Sequence, residues 1–195
     1  MKPLELIDLR ESIIEQATRL FVTHGYHGIS MREIAEGVGV SKAALYYHFK
    51  DKEALFLATL TAELERIEHI VQEAQQAEAT AREQIEQIMR GIFEQAPEQR
   101  AIIRLASHEI VHLSPKTRAE FSRIYQEKFI GQIEAILSAG VSRGELRSMN
   151  VRLATWILLG MAYPFLHPDQ ERGPEVSQEG TDLILSIFFD GASAE

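Results

Sequence analysis

Residues 30–55, SMREIAEGVGVSKAALYYHFKDKEAL, read as two short helices joined by a glycine turn and followed by the start of a third. Ser30 with Glu33 has the S-x-x-E form of a capping box, in which hydroxyl and carboxylate satisfy the free backbone N–H groups of a helix start. Ile34, Ala35 and Val38 then share one helical face, and Gly39 supplies a sharp turn. Ser41 is a second N-cap. Behind it Leu45 and Phe49 fall four apart on an inner face, which leaves Lys42, Ala43, Tyr46 and Tyr47 facing outward. Asp51 caps the next helix.

Two helices set at a steep angle by a turn of a few residues form a helix-turn-helix, whose second helix enters the DNA major groove by its N-terminal end. The candidate DNA contacts are Ser30, Arg32, Ser41, Lys42, Ala43, Tyr46, Tyr47, His48 and Lys52. Lys42 suits a base edge or a phosphate, and Tyr46 and Tyr47 offer flat apolar surface with a hydroxyl. Lys52, next to Asp51, is expected to reach backbone phosphate. A capped helical hairpin with exposed Tyr and Lys also occurs in bundles that bind no DNA, so geometry alone does not decide.

The residue pattern adds to the geometry. Ser30, Ile34, Ala35, Gly39, Val40, Ser41, Leu45, Tyr46, His48, Phe49, Lys52, Glu53 and Leu55 stand at fixed spacing. Together they resemble the N-terminal domain of the tetracycline-repressor (TetR) family of bacterial transcription regulators. Upstream, IIEQATRLFVTHG from Ile13 to Gly25 looks like that family's first helix, with Ile13, Ala17, Leu20 and Phe21 on its inner face. The resemblance covers about a quarter of the chain. It implies a dimeric repressor that binds a palindromic operator and is released by a small effector held in a helical body. Two residues depart from the pattern: Val38 stands where the family usually has Ala, and Gly37 adds a second glycine. A helical glycine costs roughly 1 kcal/mol against alanine, so a looser end to this helix is expected.

The net charge of -9 runs against bulk attraction to DNA, but it is unevenly placed. Residues 1–55 hold seven Lys/Arg against eight Asp/Glu, so -8 of the total lies beyond them. An acidic body further than a Debye length of ~10 Å from the phosphates costs little. Weak non-specific binding follows, with operator recognition resting on specific contacts. The absence of cysteine excludes a disulfide framework and fits a reducing cytoplasm, the expected location. No secretory leader is read in MKPLELIDLRES, whose short apolar stretch is broken by charge. No membrane association is expected, because the most apolar segment, Leu153–Leu166, falls short of the ~20 residues a span needs.

The rest of the sequence predicts helices and no alternating strand, hence an all-α protein. They fall at Lys52 to about Ala77, Ala81–Gln95, Glu98–His112, Pro115–Ala139, Asn150–Phe165 and Gln178–Phe189. The expected division is a helix-turn-helix domain over 1–55 and a helical effector-binding and dimerisation domain over 56–195.

One motif in that second part carries chemistry of another kind. His108-Glu109-Ile110-Val111-His112 matches the zinc signature H-E-x-x-H, which on an α-helix puts two ligands on one face and a general base between them. The alternative function is therefore a zinc-dependent hydrolase. A zinc site needs a third ligand, and nothing in the sequence marks Glu127 or Glu134 as that residue. No metal or cofactor is expected, and no enzyme. A helical interaction protein with a decayed head is a third reading.

Leu64, Ile67, Phe93, His108, His112, Phe121, Tyr125 and Trp156 are the candidate lining of a pocket that the family resemblance implies, for a small apolar or amphipathic molecule. Core packing accounts for the aromatic residues among them equally simply. The last two helices carry more apolar side chains than one small body can bury. The family resemblance implies dimerisation through these two helices, with Ile157, Met161, Phe165, Ile184 and Phe188 as the expected homodimer interface; a helix buried all round within the protomer is the other reading.

Overall fold

The computed structural model describes residues 3–76, 78–166 and 178–191. Among them the chain forms helices and no strand: α1 (Pro3–His24), α2 (Met31–Val38), α3 (Lys42–His48), α4 (Lys52–Gln76), α5 (Ala81–Phe93), α6 (Pro97–Glu109), α7 (Pro115–Tyr125), α8 (Gly131–Ser142), α9 (Val151–Ala162) and α10 (Gln178–Asp190). The all-helical expectation holds, and most boundaries fall within a few residues of those read from periodicity. The expected end of α4 at Ala77 lies outside the described residues. Two segments differ in kind. The helix expected to run to His112 stops at Glu109 and tightens into a 3-10 turn, Ile110–His112. The helix expected over Pro115–Ala139 carries a π-helical stretch, Gln126–Ile130, between α7 and α8.

The chain divides into two compact units, one of residues up to Glu63 with Ala101–Arg123, the other of Leu64–Arg100 and the residues from Ile124 on. In the first, Ile13, Ala17 and Phe21 of α1 are fully buried with Ile34, Leu45, Leu55 and Phe56. Phe21 meets Phe56 edge-on at 5.0 Å between ring centres, and Tyr26 lies 4.9 Å from the same ring. Ile102 and Ala106 of α6 and Leu113 belong to this core as well. Residues 101–123 thus fold with the helix-turn-helix, although they lie beyond residue 55. Burying each such aliphatic or aromatic side chain is worth ~1.5–3 kcal/mol, so α6 contributes materially to the stability of the head.

Glycine is required at one place here and allows close packing at another. A β-carbon at Gly28, in the turn between α1 and α2, would lie 2.1 Å from the backbone oxygen of His24. At Gly37 it would lie 3.0 Å from Cδ1 of Leu20 on α1. The second glycine of α2 is therefore a point of close packing against α1, and the expected loosening of the helix end is replaced by a contact.

In the second unit α5 opens with a capping box between Thr80 and Glu83 and packs on α8 and α10. Gly140 of α8 allows Ala81 to approach: a β-carbon there would stand 2.6 Å from that of Ala81. Arg90 of α5 binds Glu86 at 2.8 Å and Asp182 of α10 at 2.9 Å. α9 packs against α10, burying Ala154, Thr155 and Leu158 of one and Ile184, Leu185, Phe188 and Phe189 of the other. Ile184 and Phe188, expected at a dimer interface, are thus core residues of the protomer. Leu153, Trp156, Ile157, Leu183 and Ile187 point the other way and are 49–60% exposed.

Candidate nucleic-acid interface

The interface is assembled by caps. Ser30 donates its hydroxyl and its backbone N–H to Glu33 Oε2, at 2.6 and 2.8 Å, and its Oγ accepts the Glu33 N–H at 3.3 Å. These hydrogen bonds favour the ionised form of Glu33 and hold its carboxyl below the usual range. At the other end of α2, Gly39 adopts a left-handed conformation with φ 79° and ψ 25°, which closes the helix and redirects the chain. Val40 N–H returns to Ala35 O at 3.0 Å. Ser41 Oγ then accepts the Ala44 N–H at 3.1 Å and starts α3.

With Leu45 and Phe49 buried on one side, α3 turns Lys42, Ala43, Tyr46 and Tyr47 to solvent, as expected. Tyr47 is 76% exposed and Tyr46 41%. Lys42 Nζ lies 5.7 Å from the centre of the Tyr46 ring, so the cation and the aromatic edge occupy one patch. His48 is half-buried in the last turn, with its ring 5.2 Å from that of Tyr47. Ser30 and Ser41 commit their hydroxyls to caps. Arg32 is exposed and paired with Glu36 at 2.9 Å. The sequence reading omitted Lys50, which is exposed one residue beyond Phe49 and only loosely paired with Asp51 at 3.7 Å. Its place just after a recognition helix is the signal that would have found it.

Lys52 has a different setting from the free phosphate contact expected of it. Its Nζ donates to Ile29 O at 2.9 Å and lies 4.6 Å from the centre of the Tyr26 ring. Burial lowers its pKa from the usual lysine value, against a counteracting pull from Glu109. The side chain therefore pins the start of α4 to the turn that precedes α2. Lys52→Met is expected to lower unfolding free energy by ~1–2 kcal/mol in urea titration, one hydrogen bond and one cation–π contact, and to weaken binding to all DNA sequences alike.

Glu53, next along, accepts the Ser114 N–H at 2.6 Å. That interaction with Ser114, joined by Thr117, holds its carboxyl below the usual value despite partial burial. A depressed folded pKa gives stability that is complete above the unfolded value and is lost as pH falls through the folded one. Glu53→Gln is accordingly expected to flatten the acid limb of the stability curve at about pH 5 to 3 and leave its neutral plateau with a smaller total. Thermal unfolding measured against pH checks this.

The residues expected to line an effector pocket divide between the two units. His108, His112 and Phe121 belong to the first; Leu64, Ile67, Phe93, Tyr125 and Trp156 to the second. Leu64, Ile67 and Phe93 are buried, and the Phe93 ring lies 6.3 Å from that of Phe165. Tyr125 packs against Phe129 at 5.8 Å, and burial pushes its hydroxyl up to about 12, leaving it a protonated hydrogen-bond donor. Trp156 is on the outer face of α9, away from the buried set. Met161 and Phe165 are half-buried, and Ile157 is exposed.

The H-E-x-x-H reading meets a geometric objection. The signature depends on an α-helical spacing between its two histidines, and the 3-10 turn from Ile110 breaks that spacing. Among the described residues, the group whose ligand atoms converge is His27, Glu109 and His112, without His108.

A capped two-helix element with lysine and tyrosines on the outer face of its second helix has the geometry of a helix-turn-helix, and comparison with known proteins supplies the class. Residues 13–59 match the family model for bacterial regulatory proteins of the tetR family, and residues 78–191 match the tetracyclin repressor-like C-terminal domain. The chain belongs to the TetR family. It is 30% identical over 144 residues to the HTH-type transcriptional repressor AcnR of Corynebacterium efficiens, covering 73% of this chain and 71% of that one. The crystal structure of PfmR, a TetR family regulator from Thermus thermophilus, is 26% identical with a TM-score of 0.77, covering 91% of this chain and 97% of that one. That of AibR in complex with isovaleryl coenzyme A and operator DNA is 26% identical with a TM-score of 0.76, covering 93% and 98%. Among the described residues no helix is long and apolar enough to cross a membrane.

Proposed function

We propose that this protein is a homodimeric repressor that binds a palindromic operator through α3 and is released by an amphipathic effector with an apolar chain. The observation that carries the DNA reading is the outward face of α3, where Lys42, Tyr46 and Tyr47 are exposed while Leu45 and Phe49 hold the helix to the core. Large aromatic surface left in water at a helix-turn-helix supports a groove contact. Lys42 and Tyr46 read base edges, and Arg32, Lys50 and Tyr47 serve the phosphates. The exposed apolar face of α9 and α10 supports the dimer, whose two-fold axis gives two heads for two half-sites.

AibR, complexed with isovaleryl coenzyme A, supports an acyl-coenzyme A thioester as the effector class. Leu64, Ile67, Phe93 and Tyr125 are the lining residues proposed on the second unit. α4 is one continuous helix with residues in both units, which supports mechanical transmission from effector to head. The protein works where its operator is, in the cytoplasm, and performs no catalysis.

Allosteric release must be reciprocal: operator weakens effector binding by the factor by which effector weakens operator binding. Isovaleryl and longer-chain acyl-coenzyme A thioesters are titrated with and without saturating operator. A reduced affinity in the presence of operator is expected. Equal affinities in both conditions would refute release by this class.

A further inference from the structure

His27 lies in the turn between α1 and α2, Glu109 is the last residue of α6, and His112 ends the 3-10 turn after it. All three belong to the first unit. Glu109 and His112 are three apart where the chain tightens from α to 3-10 geometry, and in a 3-10 turn side chains at that spacing eclipse. That tightening brings the glutamate and the second histidine to one edge and leaves His108 on another. His27 meets them from the opposite side: its Nε2 is 4.0 Å from Glu109 Oε2, and its ring centre is 5.2 Å from that of His112. One ligand atom from each residue lies within 4.8 Å of the other two.

We propose that His27, Glu109 and His112 form a binding site for one borderline divalent transition-metal ion of the zinc class. Two imidazole nitrogens and a carboxylate match the donor preference of such ions, whereas magnesium and calcium demand oxygen throughout. Bonds of ~2.0–2.2 Å in tetrahedral geometry place ligand atoms ~3.4 Å apart. Both imidazoles are exposed, so their rings have room to turn toward that spacing from the present one. Water completes the coordination on the solvent side. Glu109 is the most sheltered of the three, its side chain 18% exposed against 64% for His27. The Lys52 ammonium feels the Glu109 charge and competes for it, which sets the affinity below that of a closed structural zinc site.

The ion joins the turn that leads into α2, three residues ahead of the Ser30 cap, to the end of α6. Binding to the folded state alone then raises the stability of the head with metal concentration. Glu109 acts here as a ligand, in place of the general base that the sequence motif assigned to it.

The test uses untagged full-length protein, stripped with chelator and titrated calorimetrically with zinc chloride alone, alongside thermal unfolding. The expected result is one ion per chain and a melting temperature that rises with zinc and is unmoved by magnesium chloride. His27→Ala, His112→Ala and Glu109→Gln each lower zinc affinity at least tenfold, while His108→Ala stays within twofold. Cobalt chloride gives visible absorption bands in the wild type that His27→Ala abolishes. Far-UV circular dichroism of each variant matches the wild type, because the two histidines are exposed and His27 meets the core only through the edge of Tyr26, 5.1 Å between ring centres. Failure of the wild type to take up zinc would overturn the site. So would a His27→Ala variant that binds within twofold of wild type, or a His108→Ala variant that loses as much as His112→Ala.

Discussion

Replacing Tyr46 with alanine is expected to lower affinity for a selected operator about 100-fold, with the protein still folded and dimeric. A good base-edge contact is worth ~1–3 kcal/mol, and a two-fold complex loses it twice; at ~1.5 kcal/mol per half-site the total of ~3 kcal/mol is a factor near 100. Leu45 and Phe49, both buried, anchor α3, so removal of the exposed Tyr46 ring is expected to leave the head folded. Lys42→Ala is expected to act in the same direction through the patch it shares with the Tyr46 ring. Affinity for unrelated DNA should fall far less for Tyr46→Ala, because non-specific binding rests on phosphate charge. Fluorescence anisotropy with operator and scrambled duplexes separates the two. Wild-type affinity in Tyr46→Ala would remove α3 from the groove.

The second large effect is on assembly. Ile157 is 52% exposed in the protomer, and Leu153 and Trp156 of α9 and Leu183 and Ile187 of α10 are exposed apolar side chains as well. In a two-fold interface a carboxylate at this position is buried twice without a partner, at a cost of several kcal/mol per ion. Ile157→Asp is therefore expected to raise the dimer dissociation constant by about 1,000-fold or more, equivalent to ~4 kcal/mol. The protein should sediment as a monomer at micromolar concentration and lose operator binding with the second head. Phe188→Asp is the informative contrast: Phe188 is buried within the protomer and should unfold it instead. An Ile157→Asp variant that sediments as a dimer would place the interface elsewhere.

These two residues also mark the limit of what the sequence carried. The head was legible because its signals are local: Ser30 with Glu33, Gly39, and Ser41 before Leu45 and Phe49 follow from capping and turn rules within a few residues of each other. α9 and α10 are apolar around most of their circumference, so helical periodicity does not say which side faces inward. The family resemblance implies an outward place for Ile184 and Phe188 and an inward one for Trp156; the protomer buries the first two and leaves Trp156 49% exposed. Lys52 beside Asp51 reads as a phosphate ligand, and only the fold reveals Ile29 O and Tyr26 within its reach. Likewise Gly37 costs helix propensity in the sequence and admits Leu20 in the structure.

Long-range pairing accounts for the remaining gap. Ile102, Ala106 and Leu113 join the core of the head from beyond residue 100, through apolar contacts that no window of adjacent residues contains. His27 meets Glu109 and His112 by the same route, 82 residues being the separation of the nearer pair in sequence. The motif in the chain pointed to His108 because it presumes an unbroken α-helix, and the 3-10 turn substitutes a partner from another element.

If two copies of α3 read two symmetric half-sites, selecting binding sequences from a random duplex pool and footprinting the winner will reveal it. The expected winner is a palindrome whose half-sites lie on one face of the duplex, ~34–36 Å apart centre to centre or a multiple of that spacing. Protection should appear over both half-sites at one protein concentration and vanish from both in Tyr46→Ala. A pool that yields no enriched sequence, or a footprint over a single half-site that Tyr46→Ala reproduces, would contradict it.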